Sequence, residues 1–259
     1  MIHELRLFFV ALQFLTRVPA PRWVGFEPAW LNQSARHFPA VGLCVGTASA
    51  SVLTLGHTLF GPAVGVGLAM AASVLITGAF HEDGFADTCD ALGGTVSRER
   101  ALEIMKDSRI GAYGAIGLVL MLGLKAAALV SLPLVAAVPA LLLAHTASRA
   151  AAVLLIRVLP YAGDLEHAKA KPMAQRVEVS GVLVAAGWVA LVTAALAWHA
   201  PQQAPALLAG LVLAVAGTAW CARWVRRRLG GYTGDALGAT QQITELLVLL
   251  GWLGTMRAA

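Results

Sequence analysis

Seven stretches of the chain, at 38–57, 62–80, 110–130, 133–157, 179–199, 205–222 and 236–256, run almost unbroken in apolar residues. A helix crossing a bilayer takes about 20 such residues. The runs are continuous rather than alternating with period two, which argues against membrane strands. The pattern predicts an all-α, polytopic integral membrane bundle of about seven transmembrane helices, a single domain over 1–259. Residues 1–37 differ. The stretch LRLFFVALQFLTRVPAP is apolar but short, spaces Arg6, Gln13 and Arg17 for one helical face, and is stopped by Pro19 and Pro21. It reads as an interfacial helix lying on the membrane, either an anchor or a brace for a site at membrane level. It lacks the basic start and small-residue cleavage site of a signal peptide. Small residues such as Gly42, Gly46, Ala50, Gly65 and Gly67 suit close helix contacts.

Composition agrees. Apolar residues make up 58%, charged residues 13%, and mean hydropathy is +0.73. So few charges do not cover a water-soluble globule. Cys44, Cys89 and Cys221 stand apart with no CxxC, so neither a disulfide framework nor a zinc knuckle is implied. The net charge of +5 is better explained by loop asymmetry than by nucleic acid. Sixteen of the nineteen basic residues precede the first run or follow the second, fourth and sixth, while the alternate connections hold none. The expected result is a cytoplasmic N-terminus and a cytoplasmic segment at 81–109. Of the rest, Lys125 is expected to snorkel outward; Arg149, one turn from His145, is either functional or snorkelling.

Half of the acidic residues, seven of fourteen, fall between Glu82 and Asp107. HEDGFADTCDALGG follows the second run directly, and its first residues are expected to prolong that helix out of the membrane. Asp83, Asp87 and Asp90 then share one face, with Glu82 beside them. Like charges on one stripe repel; a divalent cation reverses the sign. Oxygen ligands without His or Cys companions point to a hard ion such as Mg²⁺, which binds one or two carboxylates together with substrate phosphates. A solvated, merely decorative helix end is the plain alternative. Gly84, Ala86, Gly93 and Gly94 are read as leaving open space for a substrate. Ser97 is placed to cap a helix carrying Glu103 and Asp107; Asp107 is a further metal ligand or general base, and Lys106 and Arg109 supply cations for phosphate oxygens. His81 is a second candidate base.

Another polar stretch, GGYTGDALGATQQITE, spans Gly230 to Glu245. Its turn at Gly231, Thr233, Gly234 and Asp235 opens a helix, where free backbone amides attract anions. Gln242 and Glu245 continue a polar stripe into the apolar run. In the loop 160–177, Asp164, Glu166, His167, Lys169 and Lys171 read as solvated. Carboxylates, cations and an anion-binding helix end on one membrane face suit phosphoryl transfer with a bound metal. Rival readings are a transporter, with charges at mid-membrane and broken helices, and a structural membrane subunit.

FLTRVPAP (Phe14–Pro21), FPAVGLCVG (Phe38–Gly46), FHEDGFADTCDALGG (Phe80–Gly94), EIMKDSRIGAYG (Glu103–Gly114) and GGYTGDALGATQQITE, in this order, resemble the cobalamin synthase family, the adenosylcobinamide-GDP ribazoletransferases. A looser likeness links Asp83-Gly84-Phe85-Ala86-Asp87 to the CDP-alcohol phosphotransferases, whose DGxxAR signature is not met. The first resemblance implies a multi-pass enzyme of the bacterial inner membrane, its site facing the cytoplasm, that joins adenosylcobinamide-GDP to α-ribazole or its 5′-phosphate and releases GMP with Mg²⁺ present. On that basis Glu82, Asp83, Asp87 and Asp90 hold the metal. Asp107, His81, Lys106 and Arg109 serve catalysis, while Arg149, Gly231, Thr233, Gly234, Asp235, Gln242 and Glu245 bind substrate. The lipid bilayer is the surrounding partner, nucleic acid is not one, and a homo-oligomer or a complex with other cobamide-assembly enzymes is left open.

Overall fold

A computed structural model describes residues 2–163 and 175–258. Asp164, Glu166, His167, Lys169 and Lys171 lie outside them. Among the described residues the fold is all-α. After α1 (Ile2–Leu15) and α2 (Pro28–Ser34), a 3₁₀ turn at Ala35–His37 leads into α3 (Phe38–Phe60) and α4 (Pro62–Thr77). Two shorter helices follow, α5 (Phe80–Gly93) and α6 (Arg98–Ile104). The chain then folds as α7 (Ala112–Val130), α8 (Leu134–Val158), α9 (Val179–His199), α10 (Ala204–Leu229) and α11 (Gly234–Ala258). Each predicted apolar run lies on one of the long helices. Among the described residues, five helices are long and apolar enough to cross a membrane, or six if the bent pair α4–α5 is one span. The seventh run, on α11, is long enough, but Asp235, Gln241, Gln242 and Glu245 dilute its apolar character.

Position within the bundle follows side-chain size. The spanning stretch of α8 is 83% buried and that of α9 only 17%, so α8 is the axis and α9 the periphery. Glycines let α3 lie on α8: a Cβ at Gly42 would stand 2.2 Å from the His145 carbonyl oxygen, and one at Gly46 3.2 Å from the His145 Cβ. Gly65 meets the backbone of His57 in the same way, whereas Gly67 faces open space. Arg226, Arg227 and Arg228 belong to the last turn of α10, where positive charge is favoured by the helix dipole.

The helix over 62–80 does not continue outward as expected. Gly78 (φ +70°) and Ala79 (φ +58°) both adopt the left-handed conformation, and α5 leaves at 89° to α4. α5 is therefore turned off the axis of α4, and the aspartates lie across that axis rather than beyond the end of α4. The left-handed turn at Ala79 costs about 1–2 kcal/mol relative to its right-handed form. The N-terminal segment supports this corner. The Arg17 backbone N–H donates to the Ile76 carbonyl at 2.8 Å, and the Arg17 side chain lies over Gly78, where a Cβ would meet its Nε at 2.6 Å. Arg17 falls beyond the end of α1, not on its face with Arg6. α1 itself buries Leu7 with Val24, Trp30 and Leu31, and sets the Arg6 guanidinium 5.7 Å above the Trp30 ring.

Candidate active site

The site grows from the contact between α5 and α11. A Cβ on Gly84 would stand 3.0 Å from the Asp235 Cα, and one on Gly238 3.1 Å from the His81 carbonyl oxygen. Gly84 is thus a packing residue, not open space, and Gly93 likewise lies against the Tyr113 ring. Close approach of the two backbones brings Asp83 and Asp87, one turn apart on α5, beside Asp235 in the first turn of α11. Partial burial, then the negative charges of Asp235, Asp83 and Asp90, push the Asp87 carboxyl up to about 7. A carboxyl held this high amid three others is a local excess of negative charge that a cation relieves.

Asp90 shares the stripe but is already engaged. Its carboxylate accepts the Gly111 N–H at 2.7 Å and the Gly114 N–H at 2.8 Å, and so caps the start of α7 from a different helix. Cβ atoms at 111 or 114 would collide with that carboxylate, which accounts for both glycines. Glu82 points the other way. Its Oε1 accepts from Gln242 Nε2 at 3.0 Å inside the bundle, and its Oε2 is buried without a protein partner. Neither residue joins Asp83 and Asp87 on the outer face.

The two candidate bases are poorly suited to that role. The Arg109 guanidinium forks onto the Asp107 carboxylate at 2.6–3.2 Å and its backbone N–H adds a further bond, drawing Asp107 down to about 2. A carboxylate this acidic is a weak proton acceptor. Burial, followed by the nearby Arg149 charge, holds the His81 ring well below its usual range. Arg109 remains solvent-exposed, and Lys106 sits on the turn that follows α6.

The glycine-rich turn is closed rather than open. The Tyr232 N–H donates to the Pro160 carbonyl (2.9 Å) and the Ala162 N–H to the Tyr232 carbonyl (2.8 Å), while a Cβ on Gly231 would stand 2.1 Å from that Pro160 oxygen. The buried Thr233 hydroxyl accepts the Ala236 N–H at 3.2 Å, so one of the amides expected for an anion is already capped. Gly234 is simply the first residue of α11.

Lys125 does not snorkel. It is 4% exposed and donates to Gln242 Oε1 at 2.6 Å and to Glu245 Oε1 at 2.7 Å, deep between α7 and α11. Arg149, 2% exposed, donates to the His145 carbonyl at 3.0 Å and turns inward too. Arg149, Gln242 and Glu245 therefore lie beneath the aspartate face, not on it. Sequence reasoning also passed over a clasp. Arg98 Nε donates to the Leu229 carbonyl at 2.6 Å, and Arg228 donates to the carbonyls of Leu92 (3.2 Å) and Gly94 (2.9 Å). Their one available signal was position, a basic residue shortly after the Gly93-Gly94 break and others at the end of α10.

A family model described as cobalamin-5-phosphate synthase matches residues 7–253. The chain belongs to the cobalamin-5-phosphate synthase family. Among similar curated proteins, the adenosylcobinamide-GDP ribazoletransferase of Leptothrix cholodnii is 59% identical, over 98% of this chain and 97% of its own length. The proteins of that name from Albidiferax ferrireducens and Vibrio cholerae are 45% and 42% identical, over 95% and 96% of this chain and 97% and 93% of their own lengths. No solved structure matches it. The matched span of the cobalamin-5-phosphate synthase family takes in every residue of the aspartate face. Among the described residues no three His, Cys, Asp or Glu side chains stand close enough together to hold a metal by themselves. The adjacent Asp83, Asp87 and Asp235 still suit a hard cation that takes one or two protein carboxylates and completes its shell with water and phosphate oxygens.

Proposed function

We propose that this chain is an adenosylcobinamide-GDP ribazoletransferase: it joins α-ribazole, or its 5′-phosphate, to adenosylcobinamide-GDP and releases GMP. Kinship over nearly the full length to a protein of that name carries the reading, and the aspartate face supplies chemistry that fits it. In the transfer, a ribose hydroxyl oxygen of α-ribazole forms a bond to the phosphorus next to the aminopropanol linker. The bond from that phosphorus to the oxygen bridging to GMP breaks, and the hydroxyl proton is taken up at the site. One or two of the neighbouring carboxylates Asp83, Asp87 and Asp235 would hold Mg²⁺, which neutralises diphosphate charge when bound. Arg109 and Lys106 would meet phosphate oxygens.

The positive loops favour a bacterial inner membrane location with this face toward the cytoplasm. A transporter would also have mid-bundle charges and a broken helix. Here Lys125 and His145 are both paired with Glu245, beside a cavity of only about 20 Å³, too small for a solute path.

The test is direct. Detergent-purified protein given both substrates and Mg²⁺ should release GMP, and release should stop with a chelator or without either substrate. Asp83→Ala and Asp87→Ala should abolish release while the protein remains folded and membrane-inserted. Near-normal turnover in either variant refutes the metal role.

A further inference from the structure

Below the aspartate face lies a layer of buried polar residues that none of the chemistry above uses. Lys125 on α7 reaches Gln242 and Glu245 on α11 at 2.6 and 2.7 Å. The Gln242 amide in turn donates to Glu82 Oε1 on α5 at 3.0 Å. Glu245 Oε2 also stands 3.2 Å from His145 Nδ1 on α8. Lys125 and Arg149 carry two positive charges, Glu82 and Glu245 two negative ones, so the layer is formally neutral. The buried Glu82 Oε2 has no protein partner, and Glu82 lines the cavity of about 20 Å³, which has room for one water.

We infer that Lys125, Gln242 and Glu245 are positioning residues: a polar brace that fixes where α5 sits along α11, and with it the placement of Asp83 and Asp87 relative to Asp235. The inference rests on the assignment of those aspartates to the transferase site. Two observations carry it. At its closest point the α5–α11 contact is made through Gly84 and Gly238, with Phe85 packed among Ala239 and Leu246 beside it, and such apolar packing carries no directional bond. The Gln242–Glu82 bond is the directional tie across that contact, and Glu82 precedes Asp83, about 100° around the same helix. Any shift of Glu82 is passed directly to the aspartate stripe. Stability alone is a poor account of the layer, because apolar side chains of similar volume commonly serve a buried site as well as ion pairs do.

The brace is tested in the full-length, detergent-purified chain with two variants that keep the interior formally neutral. Gln242→Met cuts the tie to Glu82 but leaves the Lys125–Glu245 pair. Lys125→Met/Glu245→Gln removes that pair together. Asp87→Asn serves as the control for the site itself. In both brace variants, kcat for GMP release should fall about a hundredfold, the penalty of a misplacement near 1 Å, with KM for each substrate and the melting temperature close to the parent values. Unchanged kcat in both, with Asp87→Asn inactive, overturns the brace and leaves the transferase site standing. A raised KM with unchanged kcat overturns it in favour of direct substrate contact. Loss of folding in both overturns it in favour of a purely structural layer. Full turnover in Asp87→Asn rejects the site assignment, and the brace loses its object.

Discussion

At the scale of single residues, four aspartates of similar sequence setting have separate fates. Asp90 spends both oxygens on backbone amides, Asp107 is held in an arginine fork, and Asp83 and Asp87 remain for the open face with Asp235. A spacing of three or four residues announces a shared helical face, and to that extent the stripe was legible. Asp107 finds its guanidinium two residues on, at Arg109, but the amides that take Asp90 lie 20 or more positions away, at Gly111 and Gly114, and no local pattern encodes them. The same reasoning explains Lys125. A lysine near a helix end and one matched to a buried glutamate look alike until α11 is placed. The Asp87 carboxyl has a testable consequence. Its affinity for a proton is raised in the folded state, from 3.8 to about 7, so its contribution to stability is full below the ordinary value and is lost as pH rises through about 7. Without divalent cations, the melting temperature should therefore fall across that window. Mg²⁺ should restore it most at the alkaline end, and Asp87→Asn should flatten the pH profile. An unaltered profile in the variant would show that Asp87 is not the group responsible.

At the scale of elements, the apolar runs located the long helices, with α10 running on past its predicted end at 222 to Leu229, because length and composition are local properties. The corner between α4 and α5 was not legible. HEDGFADTCDALGG is compatible with a helix that carries straight on, and only the left-handed pair Gly78–Ala79, held by Arg17, makes it turn. The glycines of this region were misread for a related reason: an absent side chain means free space or a close neighbour, and the sequence does not say which. Gly238 tests the difference. A valine there would press on the His81 carbonyl and separate α5 from α11. It should cost about 1–3 kcal/mol by overpacking and depress transferase activity more than Gly67→Val, whose position is open. Equal, small effects would contradict the close contact. Melting curves and GMP release on the two variants make the comparison.

At the scale of the whole molecule, the aspartate face is assembled from the middle and the end of the chain, and basic residues gather at the same end of the bundle. If the positive loops face the cytoplasm, a cysteine introduced at Glu99 in a Cys-free background should be labelled by an impermeant thiol reagent only after spheroplasts are opened. A cysteine at Gln202, between α9 and α10, should be labelled in intact ones. The reverse pattern would invert the topology and move the site to the other side. Overall architecture was the most readable feature, since the solvent imposes it on every residue. Convergence of α5 with α11 was the least, because it is a property of packing.

The clasp by which Arg98 and Arg228 tie the Gly93-Gly94 break to the end of α10 has a consequence in time. A ribosome delivers Leu92 well over a hundred residues before Arg228, an interval on the order of ten seconds at about 5–20 residues per second. Throughout that delay nascent α5 lacks the Arg228 donor for the carbonyls at its end, and the Asp235 carboxylate is still to come. A polypeptide released early would thus sit in the bilayer unable to grip a nucleotide, and competence would arrive only with the last hairpin.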